Sequence, residues 1–222
     1  MKKLFVVVSA PLILAATPAW AALTGTVKLT GTPPAASPLK MDTDPKCPKG
    51  STSDDVVVTG GKVADVFVYV KNAPKQAYPA PTTKVTLDQN GCRYSPKVFG
   101  IMVDQKLEIV NSDPTVHNVR AEAKPAGFNF IMPTQGMKSE KTFKKPQVMV
   151  PIKCDMHPWM ASWAGVMDHP FFAVTDKSGA FSIDKLPDGE YEVVAWHAKL
   201  GEKTAKVKIS GGNGTVELSY AK

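Results

Sequence analysis

Seven consecutive residues, Cys154-Asp155-Met156-His157-Pro158-Trp159-Met160, put a thiol, an imidazole and two thioethers into one short loop. Soft donors this close together make a metal-ligand loop. A thiolate and two imidazoles in a roughly trigonal set, with a weak axial thioether, favour copper and let it cycle between Cu(I) and Cu(II). The loop supplies only one imidazole, so the second must come from elsewhere. His117 is the best source, because Ile109-Val110-Asn111-Ser112-Asp113-Pro114-Thr115-Val116-His117-Asn118-Val119 reads as an apolar run, a turn, and a histidine entering the next strand. Met156 and Met160 compete for the axial place.

Each of these residues alone has a plainer reading. A single cysteine is more often an inert buried thiol than a ligand. A methionine is often core filler, and a histidine at a strand start is often just hydrogen-bonded. The spacing of Cys154, His157 and Met160, three residues apart each time, raises the metal reading above these. Pro158 and Trp159 are placed to stiffen the loop and shield the metal. His169 and His197 are left over and read first as structural or surface histidines. Asp168-His169, with His197, is the accessory candidate: a pair supporting the ligands, or a second metal site where the two parts of the chain meet.

The chain that must hold these groups has 222 residues, enough for one large or two small domains. Its first stretch does not count towards them. Met1-Lys2-Lys3 is basic, Leu4 to Ala16 is mostly apolar, and Ala19-Trp20-Ala21 is a small-x-small cleavage site, so residues 1–21 read as a secretory signal peptide cut after Ala21. No other stretch approaches the ~20 apolar residues of a spanning helix. The mature chain is therefore expected to be periplasmic and without a membrane span. The formal charge of +7 loses two units with Lys2 and Lys3. The remaining lysines are scattered along strand-like segments without stacking aromatics, which argues against nucleic acid as a partner.

Three cysteines in an exported chain suggest one bonded pair and one thiol with another task. Cys154 has the metal-ligand neighbours, which leaves Cys47 and Cys92 to pair in an oxidising compartment. Such a bridge contributes on the order of 3 to 4 kcal/mol in the loop-entropy model. The alternative is that either is a buried free thiol.

Helical periodicity is nearly absent. Short alternating runs broken by Gly and Pro predict an all-β protein of sandwich or barrel type. Thr24 to Thr30 is a strand ended at Gly31-Thr32-Pro33-Pro34, and residues 31 to 54 form a long connection. Val63 to Val70 is a strand candidate with Val66, Val68 and Val70 on one face and Phe67 and Tyr69 on the other. Residues 72 to 83 read as a Pro-rich surface loop. After residue 167 five further alternating runs follow, with turns at Asp176-Lys177-Ser178-Gly179 and Pro187-Asp188-Gly189.

The N-x-D…H-N-V segment followed by C-x2-H-P-aromatic-M resembles the cupredoxins, the type 1 or blue copper proteins, and the loop looks most like that of amicyanin. The resemblance covers roughly residues 90 to 167. It implies a Greek-key β-sandwich holding one copper per chain on His117, Cys154, His157 and Met160. It also implies that Asn118 ties the two ligand loops together and that His157 is the exposed edge through which electrons pass. A looser likeness, carried by Asp168-His169-Pro170-Phe171-Phe172-Ala173-Val174-Thr175 and Ala195-Trp196-His197, is to exported proteins that join such a segment to a carboxypeptidase regulatory-like one. Similar chains tend to carry a histidine where this one has Lys97, so an extra site there is not expected.

The run Gly179-Ala180-Phe181-Ser182-Ile183…Leu186-Pro187-Asp188-Gly189-Glu190-Tyr191 looks like a carboxypeptidase regulatory-like, transthyretin-like sandwich, whose usual opening Gly-x-Val strand occurs here only at Gly25-Thr26-Val27. The expected order is thus an N-terminal strand and connection over 22–55, a cupredoxin-like copper domain over 56–167, and a smaller C-terminal β-sandwich over 168–222 completed by the strand at 24–30.

Two functions follow. The first is a one-electron carrier between periplasmic partners such as a c-type cytochrome or a copper or haem enzyme, and not itself an enzyme, since no Ser-His-Asp set, paired carboxylates or phosphate loop is visible. The second is a copper-handling or interaction protein in which the metal is cargo or a staple. A zinc-loaded structural site is a weaker third, because N/S donors also suit zinc.

Overall fold

The computed structural model describes residues 22–222, in which the chain is all-β apart from one 3₁₀ turn at Met41–Thr43. The signal peptide expected over residues 1–21 lies outside the described residues. Among the described residues no helix is long and apolar enough to cross a membrane. In order, the strands are β1 (Ala22–Thr30), β2 (Val58–Thr59), β3 (Lys62–Val63), β4 (Phe67–Val70), β5 (Val85–Gln89), β6 (Tyr94–Ser95), β7 (Val98–Met102), β8 (Leu107–Asn111) and β9 (His117–Ala121). The second half adds β10 (Phe128–Met132), β11 (Lys138–Lys141), β12 (Gln147–Lys153), β13 (Ala161–Met167), β14 (Phe172–Val174), β15 (Ala180–Asp184), β16 (Gly189–His197), β17 (Gly201–Ile209) and β18 (Asn213–Ala221).

These strands make four sheets and two sandwiches. The sheet β11-β8-β5-β6 faces the sheet β10-β9-β12-β13-β7 across a core that includes Leu87, Leu107, Ile109, Val119, Ile152 and Val166. Inward residues alternate with outward ones along β8, as expected of a strand with one face in a core. The other sandwich pairs β14-β4-β16-β17 with a sheet built on β1, around Leu23, Val27, Val68, Val193, Ile209 and Leu218. A third apolar seam joins the two sandwiches, with Phe67, Tyr69 and Val194 from one meeting Val98, Met149 and Met167 from the other.

The first strand joins the C-terminal segment. β1 runs parallel to β18 over its whole length, from Ala22 opposite Asn213 to Thr30 opposite Ala221, and antiparallel to β15 from Ala22 opposite Asp184 to Thr26 opposite Ala180. The stretch after residue 56 goes the same way, which differs from the expected boundary. β3 bridges β1 at Lys28, and β4 pairs with β14 and β16, so residues 58 to 70 belong to the sheets of the second sandwich. The physical reason lies in β4, whose four residues are all buried. Val68 and Val70 enter the core of that sandwich, while Phe67 and Tyr69 enter the seam. The seam is tight because Gly165 and Gly100 carry no side chain where the Phe67 and Phe172 rings lie against the backbone.

The long connection is pinned where its cysteine suggested. Cys47 and Cys92 form a disulfide with Cα atoms 5.5 Å apart. Met41 is buried in the first core, and Leu39 N–H donates to Ser51 O at 2.9 Å, folding residues 38 to 52 into a strap across that sandwich.

Candidate metal centre

His117 opens β9, and the turn before it is held by side chains. Asn111 Nδ2 donates to Thr115 O and Met132 O, both at 2.9 Å, while Asn111 Oδ1 accepts the Asp113 N–H at 3.0 Å. Cys154 follows β12 directly, and the loop from Cys154 to Met160 closes on itself: Met160 N–H donates to His157 O at 2.9 Å and Cys154 N–H to Met160 O at 3.4 Å. Asn118 ties the two ligand segments. Its Oδ1 accepts the Asp155 N–H at 2.6 Å, and its Nδ2 donates to Asp155 Oδ2 at 3.0 Å. Tyr94 braces the same residue, its hydroxyl donating to Asn118 O at 2.6 Å. Burial first, then the Cys154 and Asp155 charges, push that phenol above its ordinary pKa.

Three sequence candidates converge. One ligand atom each from His117, Cys154 and His157 lie within 4.8 Å of one another. His157 Nδ1 is 2.9 Å from His117 Nδ1 and 3.7 Å from Cys154 Sγ. The far nitrogen of each ring meets a carboxylate: His117 Nε2 lies 2.9 Å from Asp113 Oδ2, and His157 Nε2 lies 3.0 Å from Asp44 Oδ2. A carboxylate assigns the proton to Nε2, which leaves a lone pair on Nδ1. Two such lone pairs 2.9 Å apart repel unless a cation lies between them, either a proton on one ring or a metal ion bonded to both. Burial, opposed by Asp113 and aided by His157, lowers the pKa of His117 and so disfavours a proton on that ring. The donor set therefore fits a soft or borderline metal ion such as copper.

Met160 is 1% exposed in the same core as Cys154, whereas Met156 is 52% exposed. Burial thus puts Met160 in the core and Met156 at the surface. Trp159 lies beside His157 with ring centroids 5.2 Å apart and donates from Nε1 to Cys92 O at 3.0 Å. Pro158 is exposed, so its contribution is stiffness and not shielding.

One expectation is corrected. His157, expected to present its edge to solvent, is 4% exposed. The strap carrying Asp44 lies over that edge. Sequence reasoning missed Asp44 and gave Asp113 no role. The available signals were positional: Asp44 lies three residues before a bonded cysteine, and Asp113 four before His117. The Lys46 backbone N–H, the Thr115 hydroxyl and His157 together hold the Asp44 carboxyl below the usual range.

The accessory candidates lie apart from this cluster. His169 Nδ1 accepts the Phe171 N–H at 3.2 Å, and His197 Nδ1 accepts the Lys199 and Leu200 N–H groups at 3.1 and 3.2 Å. Asp168 is exposed next to His169. Lys97 is paired with Asp54 at 2.5 Å and Asp55 at 3.3 Å.

The fold and site together describe an all-β protein with a buried cluster of two imidazoles and a thiol, each imidazole backed by a carboxylate. No family model and no curated protein matches the chain. Among solved structures it is similar to a Cu-containing nitrite reductase from Thermus scotoductus, at 26% identity over 46% of this chain and 25% of that one, with a TM-score of 0.34. It is also similar to a purple cupredoxin from Nitrosopumilus maritimus, at 20% identity over 37% of this chain and 99% of that one, with a TM-score of 0.33. Amicyanin from Paracoccus versutus matches at 20% identity over 45% of this chain and 97% of its own, with a TM-score of 0.34. The chain thus spans a quarter of the nitrite reductase. Each match leaves more than half of this chain uncovered, so the geometry of the site bears the functional reading.

Proposed function

We propose that this chain is an exported mononuclear copper protein that carries single electrons between periplasmic redox partners. One observation carries the reading: a buried thiol and two imidazole Nδ1 atoms meet at one point, with both Nε2 atoms committed to carboxylates. His117, Cys154 and His157, with Met160 beside the last two in sequence, would hold copper there, and the metal would supply a Cu(I)/Cu(II) couple. The chain's own part is to hold the donors still and dry. The loop hydrogen bonds, the Asn118 tie and the Trp159 cover all restrict movement of Cys154 and His157. A donor set that does not rearrange between oxidation states favours rapid electron exchange.

All four candidate ligands are side chains, which favours a carrier over an enzyme. A c-type cytochrome or a copper or haem enzyme fits as partner, approached by a basic mature chain. The competing reading is a copper handler, in which the metal is cargo. Voltammetry of the copper-loaded protein, together with transfer of Cu(I) to a chelator, separates the two. A reversible wave with slow metal loss supports the carrier; rapid loss to the chelator without a reversible wave contradicts it.

A further inference from the structure

The disulfide sits against the site. The Cys47 and Cys92 sulfurs and a ring nitrogen of His157 lie within 4.8 Å of one another. Each cysteine leads to a carboxylate that holds one imidazole. On the Cys47 side, the Cys47 N–H donates to Asp44 O at 3.0 Å, the Lys46 N–H donates to Asp44 Oδ1 at 2.8 Å, and Asp44 Oδ2 meets both Thr115 Oγ1 at 2.7 Å and His157 Nε2 at 3.0 Å. On the Cys92 side, the Gly91 and Cys92 N–H groups donate to the two Asp113 oxygens at 2.7 and 2.8 Å, and Asp113 Oδ2 meets His117 Nε2. Cys92 O also takes the Trp159 indole N–H.

We propose that Asp44 and Asp113 are positioning residues, joined through the Cys47–Cys92 disulfide into one brace that aims both imidazole Nδ1 atoms at Cys154 and closes the outer edge of His157. The brace rests on the reading of His117, Cys154 and His157 as ligands but not on which metal they take. Its two arms come from distant parts of the chain, residues 44 to 47 and 91 to 113, and the disulfide links them covalently beside His157. A carboxylate on the far nitrogen fixes ring orientation and tautomer and raises the basicity of the ligating nitrogen. The Thr115 hydroxyl and the Lys46 N–H hold the Asp44 oxygens in place, so the carboxylate cannot swing away from His157 without losing both bonds.

The test uses the mature protein in two states. In the metal-free protein, diethyl pyrocarbonate modification of His157 is followed by mass spectrometry. Wild type is expected to react slowly, Asp44→Ala at least tenfold faster, and Asp44→Asn between the two, because the amide oxygen still accepts the Nε2–H while its NH2 group no longer accepts the Lys46 N–H. A Cys47→Ser/Cys92→Ser double variant is expected to react like Asp44→Ala; should it fail to fold, the Asp44 series still decides. In the copper-loaded protein, Asp44→Asn is expected to raise the reduction potential by removing a negative charge beside the imidazole, a shift that a merely space-filling Asp44 would not produce. Equal modification rates for wild type and Asp44→Ala, or an unchanged potential in Asp44→Asn, overturn the brace. Failure of the copper assignment itself shows separately, as a protein with the expected modification pattern and no reversible copper wave.

Discussion

All four histidines of the chain are buried, and they divide evenly between two regions. In the first sandwich, His117 and His157 lean their Nε2 atoms on Asp113 and Asp44 and turn Nδ1 towards each other. At the junction and in the second sandwich, His169 and His197 use Nδ1 to accept backbone N–H groups. A lone pair already holding an N–H is closed to a metal; one facing another lone pair beside a thiol is open to it. Burial and residue type are the same in both regions, so the partner of each nitrogen separates a candidate ligand from a core histidine.

The largest test of that contrast is removal of the rings. His117→Ala and His157→Ala should each lower copper affinity a hundredfold or more, about 3 kcal/mol, in a competition titration against a chelator. His169→Ala and His197→Ala should leave that affinity unchanged. Equal losses from both pairs would erase the distinction.

The second test reads the core histidines by pH. Burial, helped by the Lys97 charge and opposed by Asp55, depresses His197 from 6.5 to about 4 in the folded protein. The unfolded chain therefore binds the extra proton first. Stability conferred by neutral His197 is fully present above pH 6.5 and is lost as pH falls towards 4, by up to about 3 kcal/mol. Urea denaturation across that range should show the slope, and His197→Gln should remove its share, leaving the part due to buried His117 and His169.

A third test concerns the join between the regions. Gly165→Ala would place a methyl group on the Phe67 ring in the seam, costing about 2 kcal/mol of stability through overpacking. Thermal unfolding of the metal-free variant checks this. The smallest expected effect comes from Asp113→Asn, which keeps an oxygen for the His117 Nε2–H but loses its charge and the acceptor for the Gly91 N–H. Copper affinity should drop about tenfold, with the fold retained by circular dichroism.

Much of the candidate site was legible because its candidate donors sit at short spacings, and the structure brings His117, Cys154 and His157 together. Cys154, His157 and Met160 share one loop, and His117 follows a turn whose Asn111 and Asp113 are local signals. The cysteine pairing followed from the odd count. Asp44 was not legible, since a Pro-rich connection has no periodicity and the contact with His157 spans 113 residues. The same gap hid the burial of the His157 edge. For the fold, alternation correctly put Val68 and Val70 on one face of β4 and Phe67 and Tyr69 on the other, but a strand pattern names faces and not neighbours. Its pairing with β14 and β16 depends on partners a hundred residues away.

The most direct measurement is the visible absorption of the purified mature protein after Cu(II) addition, beside Cys154→Ser. A thiolate-bound copper of the type proposed predicts an intense band at ~600 nm in wild type and none in the variant. Stoichiometric metal uptake without that band would contradict the account and leave a zinc or cargo site in its place.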